Sequence, residues 1–222
     1  MSSDPILAIE TSVETGSVAL WVDNQVVLER SFFAGRKPSG TLWPALEEVM
    51  ADIKSLKAIV VGIGPGSYNG SRVGIAGAQG IALVHGCPVA SICSFEGVAT
   101  ATEDALAIGD ARRGSFSLQR IRAGRIEGDF SLVELEMLET AIAANAQENR
   151  EVFSFDPVDR FPVREDLQGM IQRRQSKAGL LAKAFANRTL EEQRTLFAAL
   201  PEPFYLRDPH ITVGKRKSLL ER

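Results

Sequence analysis

Cysteine and histidine are scarce: the 222-residue chain holds two of each. Cys87 and Cys93 stand in an apolar stretch and form no Cys-x-x-Cys pair, so they read as reduced core thiols in a reducing compartment. His85 and His210 lie too far apart in sequence to be the paired helical ligands of a metal site. A Cys87–His85 nucleophile pair would need a convergence that sequence neighbours do not supply. An excess of one charge is also missing: 25 Lys and Arg stand against 28 Asp and Glu, a net of -3, so overall charge does not mark a nucleic-acid binder. No apolar run approaches membrane-spanning length, and the opening Met1-Ser2-Ser3-Asp4-Pro5 has no basic segment. Neither a membrane span nor a secretory leader is expected, and the reading is cytoplasmic. Finally, no Gly-Gly dipeptide occurs anywhere, and beyond residue 128 the glycines are Gly169, Gly179 and Gly214.

What is present is ordinary globular material, 45% hydrophobic and 24% charged, enough to bury a core without disulfide or metal staples. Apolar runs at 6–9, 17–22 and 25–30, separated by short turns, read as an antiparallel meander. A helix is expected over 42–53, a strand buried on both faces over 58–63, a second helix over 71–85 and a strand over 88–92. The second half opens alike: a strand ending at Asp110, a tight turn, then strands at 115–121 and 130–135. A helix over 139–147, a strand over 152–155 and helices over 178–187 and 190–200 follow. The halves suggest an internal duplication and an α/β fold of two subdomains, 1–104 and 105–222, with the boundary near 102–105. The last helix is free to pack back on the first subdomain.

The richest segment is Gly62-Ile63-Gly64-Pro65-Gly66-Ser67-Tyr68-Asn69-Gly70-Ser71-Arg72-Val73-Gly74. A glycine-rich turn between a buried strand and a helix can offer amides to an anion. It can equally be a tight turn with close helix packing. It is not a P-loop, because no Lys follows Gly70, and it lacks the dinucleotide spacing. Glu10 and Asp110 end strands before turns, where ligand-facing acids occur. In nucleotide-binding folds of the actin type such acids flank phosphate and metal, which needs a small neighbour; after Asp110 stand Ala111, Arg112 and Arg113. Arg112 could bind a phosphate, but its bulk is at odds with that turn. Candidate nucleotide contacts are therefore Glu10, Thr11, Ser12, Asp110 and Arg112. No catalytic residue, metal ligand or cofactor is expected, with weak ATP or ADP binding left open. The basic run Lys215-Arg216-Lys217 reads as a solvated charge run.

Between Val73 and Val84 only Gln79 is polar, and Gly74, Gly77 and Gly80 sit inside the helix. Interior glycine costs about 1 kcal/mol each relative to alanine, so three demand a close approach of something. A helix apolar all round must be buried all round. The 42–53 helix shows the same excess, with Leu42, Leu46, Val49 and Ile53 in one stripe widened by Trp43 and Met50. The two helices either cover each other and the sheet, or meet another protein through Leu42, Trp43, Leu46, Met50, Arg72, Gly74, Ile75, Gly77, Ala78 and Ile81.

These residues resemble a known family. Ile6-Leu7-Ala8-Ile9-Glu10-Thr11-Ser12, the glycine-rich segment, Asp110-Ala111-Arg112-Arg113-Gly114 and Pro203-Phe204-Tyr205-Leu206-Arg207 are similar to motifs of the TsaB (YeaZ) family. The resemblance implies two actin-like (ribonuclease H-like) subdomains with mixed sheets flanked by helices. It implies a non-catalytic subunit that supports a TsaD-type protein, with a TsaE-type ATPase, in threonylcarbamoyl transfer to the adenosine beside the tRNA anticodon. Contact with tRNA would be indirect, and a homodimer would compete with the TsaD-type partner. The metal-binding His-x-x-x-His of TsaD proteins is replaced here by Gly40-Thr41-Leu42-Trp43-Pro44, which argues against the peptidase label carried by relatives. Asn69 departs from the family's usual Thr, and no His occurs around Arg36-Lys37-Pro38-Ser39. The competing reading is a self-sufficient nucleotide-binding ATPase or kinase of the same superfamily.

Overall fold

The computed structural model describes residues 4–34, 38–100 and 104–206, with the side chains of residues 38 and 39 outside the description. Arg36, Lys37, His210, the run 215–217 and residues 102 and 103 of the expected boundary therefore lie outside the described residues. Among the described residues ten strands and six α-helices follow one another, the first half giving β1 (Ile6–Glu10), β2 (Thr15–Val22), β3 (Gln25–Phe33), α1 (Pro38–Met50), β4 (Ala58–Gly62), α2 (Tyr68–His85) and β5 (Val89–Ile92). The second half gives β6 (Asp104–Asp110), β7 (Phe116–Arg122), β8 (Arg125–Val133), α3 (Leu135–Gln147), β9 (Glu151–Ser154), α4 (Glu165–Gln168), β10 (Ile171–Arg173), α5 (Ala178–Ala186) and α6 (Leu190–Ala198).

Two mixed five-stranded sheets result, ordered β3-β2-β1-β4-β5 and β8-β7-β6-β9-β10. Each begins with an antiparallel meander and continues with two parallel strands. The duplication suggested by the sequence is thus a repeat of topology, and the expected α/β class with two mixed sheets flanked by helices holds. Both meanders turn on positive-φ pairs, Asp23 (48°) with Asn24 (63°) and Ala123 (50°) with Gly124 (72°). Such pairs match the right-handed twist of a two-residue hairpin. The second turn was not expected, and β8 accordingly starts five residues before the strand read from the sequence. Strand β10 was also missed, because only three residues pair and two of them are exposed. Helix α1 runs a turn earlier than expected and stops at Met50.

Strand β1 is buried on both faces, and its alternation divides the core of the first half. Leu7 and Ile9 point with Val18, Leu20, Ile59 and Val61 toward α1 and α2, meeting Leu42, Leu46, Val49, Ile75 and Ala78. Ile6 and Ala8 point the other way, with Ala19, Trp21 and Val60, toward Leu181, Ala182 and Phe185 of α5. That second face is closed by a helix from the end of the described chain. The α5 N-terminus is fixed there by side chains of the first sheet: Ala178 N donates to Ser17 Oγ (2.8 Å) and Gly179 N to Glu29 Oε1 (3.0 Å). At its far end Arg188 pairs with Glu96 at 2.6 Å, both side chains close to buried.

In the second half α3, α4 and the 158–163 segment cover one face of the sheet through Leu138, Ile142, Phe161 and Leu167. The other face meets Cys93 and Phe95 of the first half, which pack on Ala105, Ala107, Ile121 and Phe153. No helix among the described residues is long and apolar enough to cross a membrane.

Phe185 is fully buried between α5 and the first sheet. Phe185→Ala should lower stability by about 3–5 kcal/mol, the range for emptying an aromatic core site. Thr189→Ala, which removes the capping box at the α6 N-terminus, should cost about 1 kcal/mol. Denaturant midpoints measure both. Equal effects would mean that α5 is a surface addition, not part of the core.

Candidate functional site

Four sequence-singled segments converge: the end of β1, the glycine-rich turn after β4, the turn after β6, and residues 203–206. Glu10 is fully buried, as are Thr11 and Ser12. Glu10 Oε1 accepts from Ser12 N and from the Ser12 hydroxyl, each at 2.7 Å. The Ser12 hydroxyl lies 2.9 Å from the Ser94 hydroxyl, which accepts from Gly64 N at 3.0 Å. Glu10 Oε2 is buried against Gly62 with no hydrogen-bond partner among the described residues.

The glycine-rich turn lies directly on this backbone. A Cβ at Gly66 would strike the Ser12 carbonyl oxygen, one at Gly70 the Thr11 carbonyl oxygen, and one at Gly74 the Thr11 hydroxyl. Hydrogen bonds hold the two layers together: Ser67 N donates to Ser12 O at 2.6 Å and the Thr11 hydroxyl to Gly70 O at 2.8 Å. Ser67 caps α2, accepting Gly70 N at its hydroxyl (3.1 Å) and Ser71 N at its carbonyl (3.0 Å). The amides of Gly64, Ser67, Gly70 and Ser71 are therefore engaged by the chain's own oxygens. A phosphate cradle needs several such amides free and convergent.

The β6 turn repeats the arrangement. Asp110 Oδ1 accepts from Arg112 N at 2.8 Å, the counterpart of Ser12 N on Glu10 Oε1. The Arg112 guanidinium then folds over the acid, Nη1 to Oδ2 at 3.0 Å. Arg112 and Arg113 both take positive φ, 67° and 56°, so the turn presents its arginines in a left-handed conformation unusual for such residues. The Asp110 amide donates to Asp156 Oδ2 at 2.9 Å. Each acid thus closes its own strand-end turn.

Between the halves lies a cavity of about 490 Å³. Its walls include Phe33, Phe95, Phe155, Pro65, Ile108 and Leu206, with Glu14, Asp110, Asp156, Arg112 and Arg173 among its polar groups. Arg173 bridges to Glu14 across the halves at 2.6 Å, both about half exposed, a pair worth at most ~1 kcal/mol. Of the five candidate nucleotide contacts, Ser12, Asp110 and Arg112 line the cavity, while Glu10 and Thr11 are sealed beneath the glycine-rich turn. Among the described residues no group of His, Cys, Asp and Glu could hold a metal ion. Burial raises the thiol pKa of Cys87 and, far more strongly, of Cys93, so neither is an activated nucleophile.

The set of residues expected at a partner surface divides. Leu42, Leu46, Gly74, Ile75, Gly77 and Ala78 are buried within the protomer. Gly74 packs on Thr11 and Gly77 faces Leu42 and Trp43, so these glycines bring α2 close to its own chain and not to another one. Trp43 and Arg72 are exposed, and Met50 and Ile81 half-buried. The outward stripe also includes Ala76, Gly80, Leu83 and Val84, which the expected set omitted. Their spacing of three and four residues carried the signal; glycine content drew attention to the inward face instead. Ser94 and Ser17, which anchor the turn and α5, had no sequence signal at all.

Residues 34–152, more than half the chain, match the family model described as TsaD: tRNA N6-adenosine threonylcarbamoyltransferase. The chain belongs to that family, on its TsaB (YeaZ) branch. It is 29% identical over 140 residues to the tRNA threonylcarbamoyladenosine biosynthesis protein TsaB of Haemophilus influenzae, covering 59% of each chain. It is 35% identical over 117 residues to TsaB of Bacillus subtilis, covering 49% of this chain and 51% of that protein. The chain thus spans between half and three-fifths of the length of these curated relatives. The structure of YeaZ from Pseudomonas aeruginosa superposes with a TM-score of 0.70 over 92% of this chain and 100% of that one, at 23% identity, a likeness of fold.

The inward and outward glycines of α2 should respond oppositely to alanine. Gly70→Ala and Gly74→Ala force atoms onto Thr11 and should cost more than about 2 kcal/mol, as overpacking does. Gly80 has nothing within 4 Å of its Cβ position, and Gly80→Ala should stabilise by about 1 kcal/mol. Thermal or urea melts separate the two signs. Tolerance of alanine at Gly70 would mean that the turn does not rest on the β1 end.

Proposed function

We propose that this chain is a non-catalytic subunit that binds a TsaD-type protein and supports threonylcarbamoyl transfer to the adenosine beside the tRNA anticodon, working in the cytoplasm. The observation that carries this reading is the outward face of α1 and α2. Trp43 is 52% exposed, Leu83 86% and Val84 82%, beside the small Ala76 and Gly80. Large apolar side chains so exposed on two packed helices are what a docking surface requires. In the absence of that partner, two copies would cover the same face by a two-fold pairing. A TsaE-type ATPase would join the assembly, and tRNA would be held chiefly by the partner.

The family membership and the TsaB names of the relatives support the pathway. The chemistry of the cleft supports the absence of turnover. Glu10 is sealed away from the cavity, the Asp156 and Glu14 carboxylates would repel a polyphosphate, and the arginines of the cavity are each engaged by a carboxylate, Arg112 by Asp110 and Arg173 by Glu14. A self-sufficient ATPase or kinase would need these acids free.

The test uses exposed positions, where substitutions ordinarily change stability by less than about 0.5 kcal/mol. Ala76→Glu and Leu83→Glu should leave the melting curve in place. In sedimentation experiments both should abolish pairing of the chain with itself and with the TsaD-type protein of the same organism. Normal association by both variants would place the interface elsewhere and remove the main support for this reading.

A further inference from the structure

Residues 203–206 touch both halves of the molecule within four consecutive positions. Phe204 N donates to Ile63 O at 2.8 Å, at the end of β4 in the first sheet. The Phe204 ring packs on Phe130 of β8 in the second sheet, centroids 4.2 Å apart. Phe130 in turn stacks on Phe95 at 6.1 Å, so one ring of the second sheet lies in a row with two rings from outside it. Tyr205 returns to the first half. Its ring stacks on Tyr68 at 5.1 Å, and its hydroxyl accepts from Arg72 Nε at 3.0 Å. The Arg72 guanidinium also covers the Tyr68 ring, 4.0 Å from its centroid. Leu206 then lines the cavity between the halves and approaches Gly109 of β6.

We propose that residues 203–206 form a clasp that fixes the angle between the two sheets and so sets the width of the cleft, with the Tyr68–Arg72–Tyr205 contact as its release point. Several observations support a clasp over a tail that merely covers core. The segment follows α6, which packs with α5 against the first sheet, so its base is anchored on one half while Phe204 grips the other. Two halves joined by a modest interface move relative to one another unless something restrains them. Other ties between the halves include α5 on the first sheet, the Cys93–Phe95 packing, the bonds of Arg125 on β8 to Glu192 and the Asn187 carbonyl, and the half-exposed Arg173–Glu14 pair. The Tyr205 end of the clasp is within reach of solvent: Tyr68 is 41% exposed and Arg72 is exposed. An aromatic–guanidinium stack at such a place is held by side chains alone. Any group that competes for Arg72 would therefore loosen the clasp without disturbing either core. Arg72 stands on α2, the helix that bears the partner face under the function proposed above, but the clasp itself does not depend on that reading.

The test is the distance between the halves. Spin labels are placed on Lys183→Cys of α5 and Glu136→Cys of α3, both exposed positions, in full-length chain carrying Cys87→Ser; Cys93 is buried and unreactive to label. Tyr205→Ala touches first-half contacts only, and Phe204→Ala removes the grip on Phe130. Both should shift the inter-label distance to longer mean values and broaden it beyond the width of the parent distribution, while each protein still melts cooperatively. A distribution that superposes on the parent in Tyr205→Ala overturns the proposal, because the segment then covers surface without restraining the halves. A shift with Phe204→Ala alone also overturns it, since the release point would then be idle. Should Phe204→Ala fail to fold, Tyr205→Ala decides by itself. Because the readout involves no partner, it fails or succeeds separately from the proposed docking to a TsaD-type protein.

Discussion

The constraint on which the rest depends is the contact of one backbone with another: the glycine-rich turn resting on residues 10–12. Three carbonyl or hydroxyl oxygens of that segment stand where a Cβ of Gly66, Gly70 or Gly74 would be. Only glycine permits the layers to meet, and once they meet, Ser67 N and the Thr11 hydroxyl lock them. The position of α2 follows from this, because its first turn is capped by Ser67 within the same contact. With α2 placed, its apolar inward face completes the first core with α1, and its outward stripe is left to solvent. Glu10, at the end of β1, is part of the contact. The same geometry that leaves the outward stripe to solvent thus buries Glu10 beneath the turn.

The two halves repeat one topology and one hydrogen bond, the strand-end carboxylate accepting the amide two residues on. They differ in what lies over that turn. In the first half it is the glycine-rich turn; in the second it is Arg112, in a left-handed conformation that no glycine requires. They differ also in how the sheet faces are covered. The helix that closes the outer face of the first sheet, α5, comes from the far end of the chain and is tied down by Ser17 and Glu29. The two halves are thus interlocked through α5, the Cys93–Phe95 packing and residues 203–206.

Much of this was legible in the residues. The meander, the buried strands and the glycine-laden α2 all follow from period and from turn chemistry, because β1, β4 and β6 carry unbroken apolar runs and Asp23-Asn24 marks its turn. What was not legible depended on long-range contact. The sense of the α2 glycines could not be read, since Gly74 faces Thr11, sixty-odd residues away, while Gly80 faces nothing; composition is blind to that difference. Ser94 and Ser17 act through single hydrogen bonds to distant amides and have no local signature. The short β10 pairs through backbone groups with two of its side chains exposed, so hydropathy was silent. The motif Pro203-Phe204-Tyr205-Leu206 was noticed as a motif, but its grip on both halves needed the rings in place.

Amide hydrogen exchange measures directly whether the glycine-rich turn is a closed structural contact or an anion site. The amides of Gly64, Ser67, Gly70 and Ser71 should be protected in the isolated chain, in step with the β1 and β4 amides, and should not change on addition of ATP with Mg²⁺ or of inorganic phosphate. Rapid exchange of these amides in the free chain, slowed only when nucleotide or phosphate is added, would contradict the account.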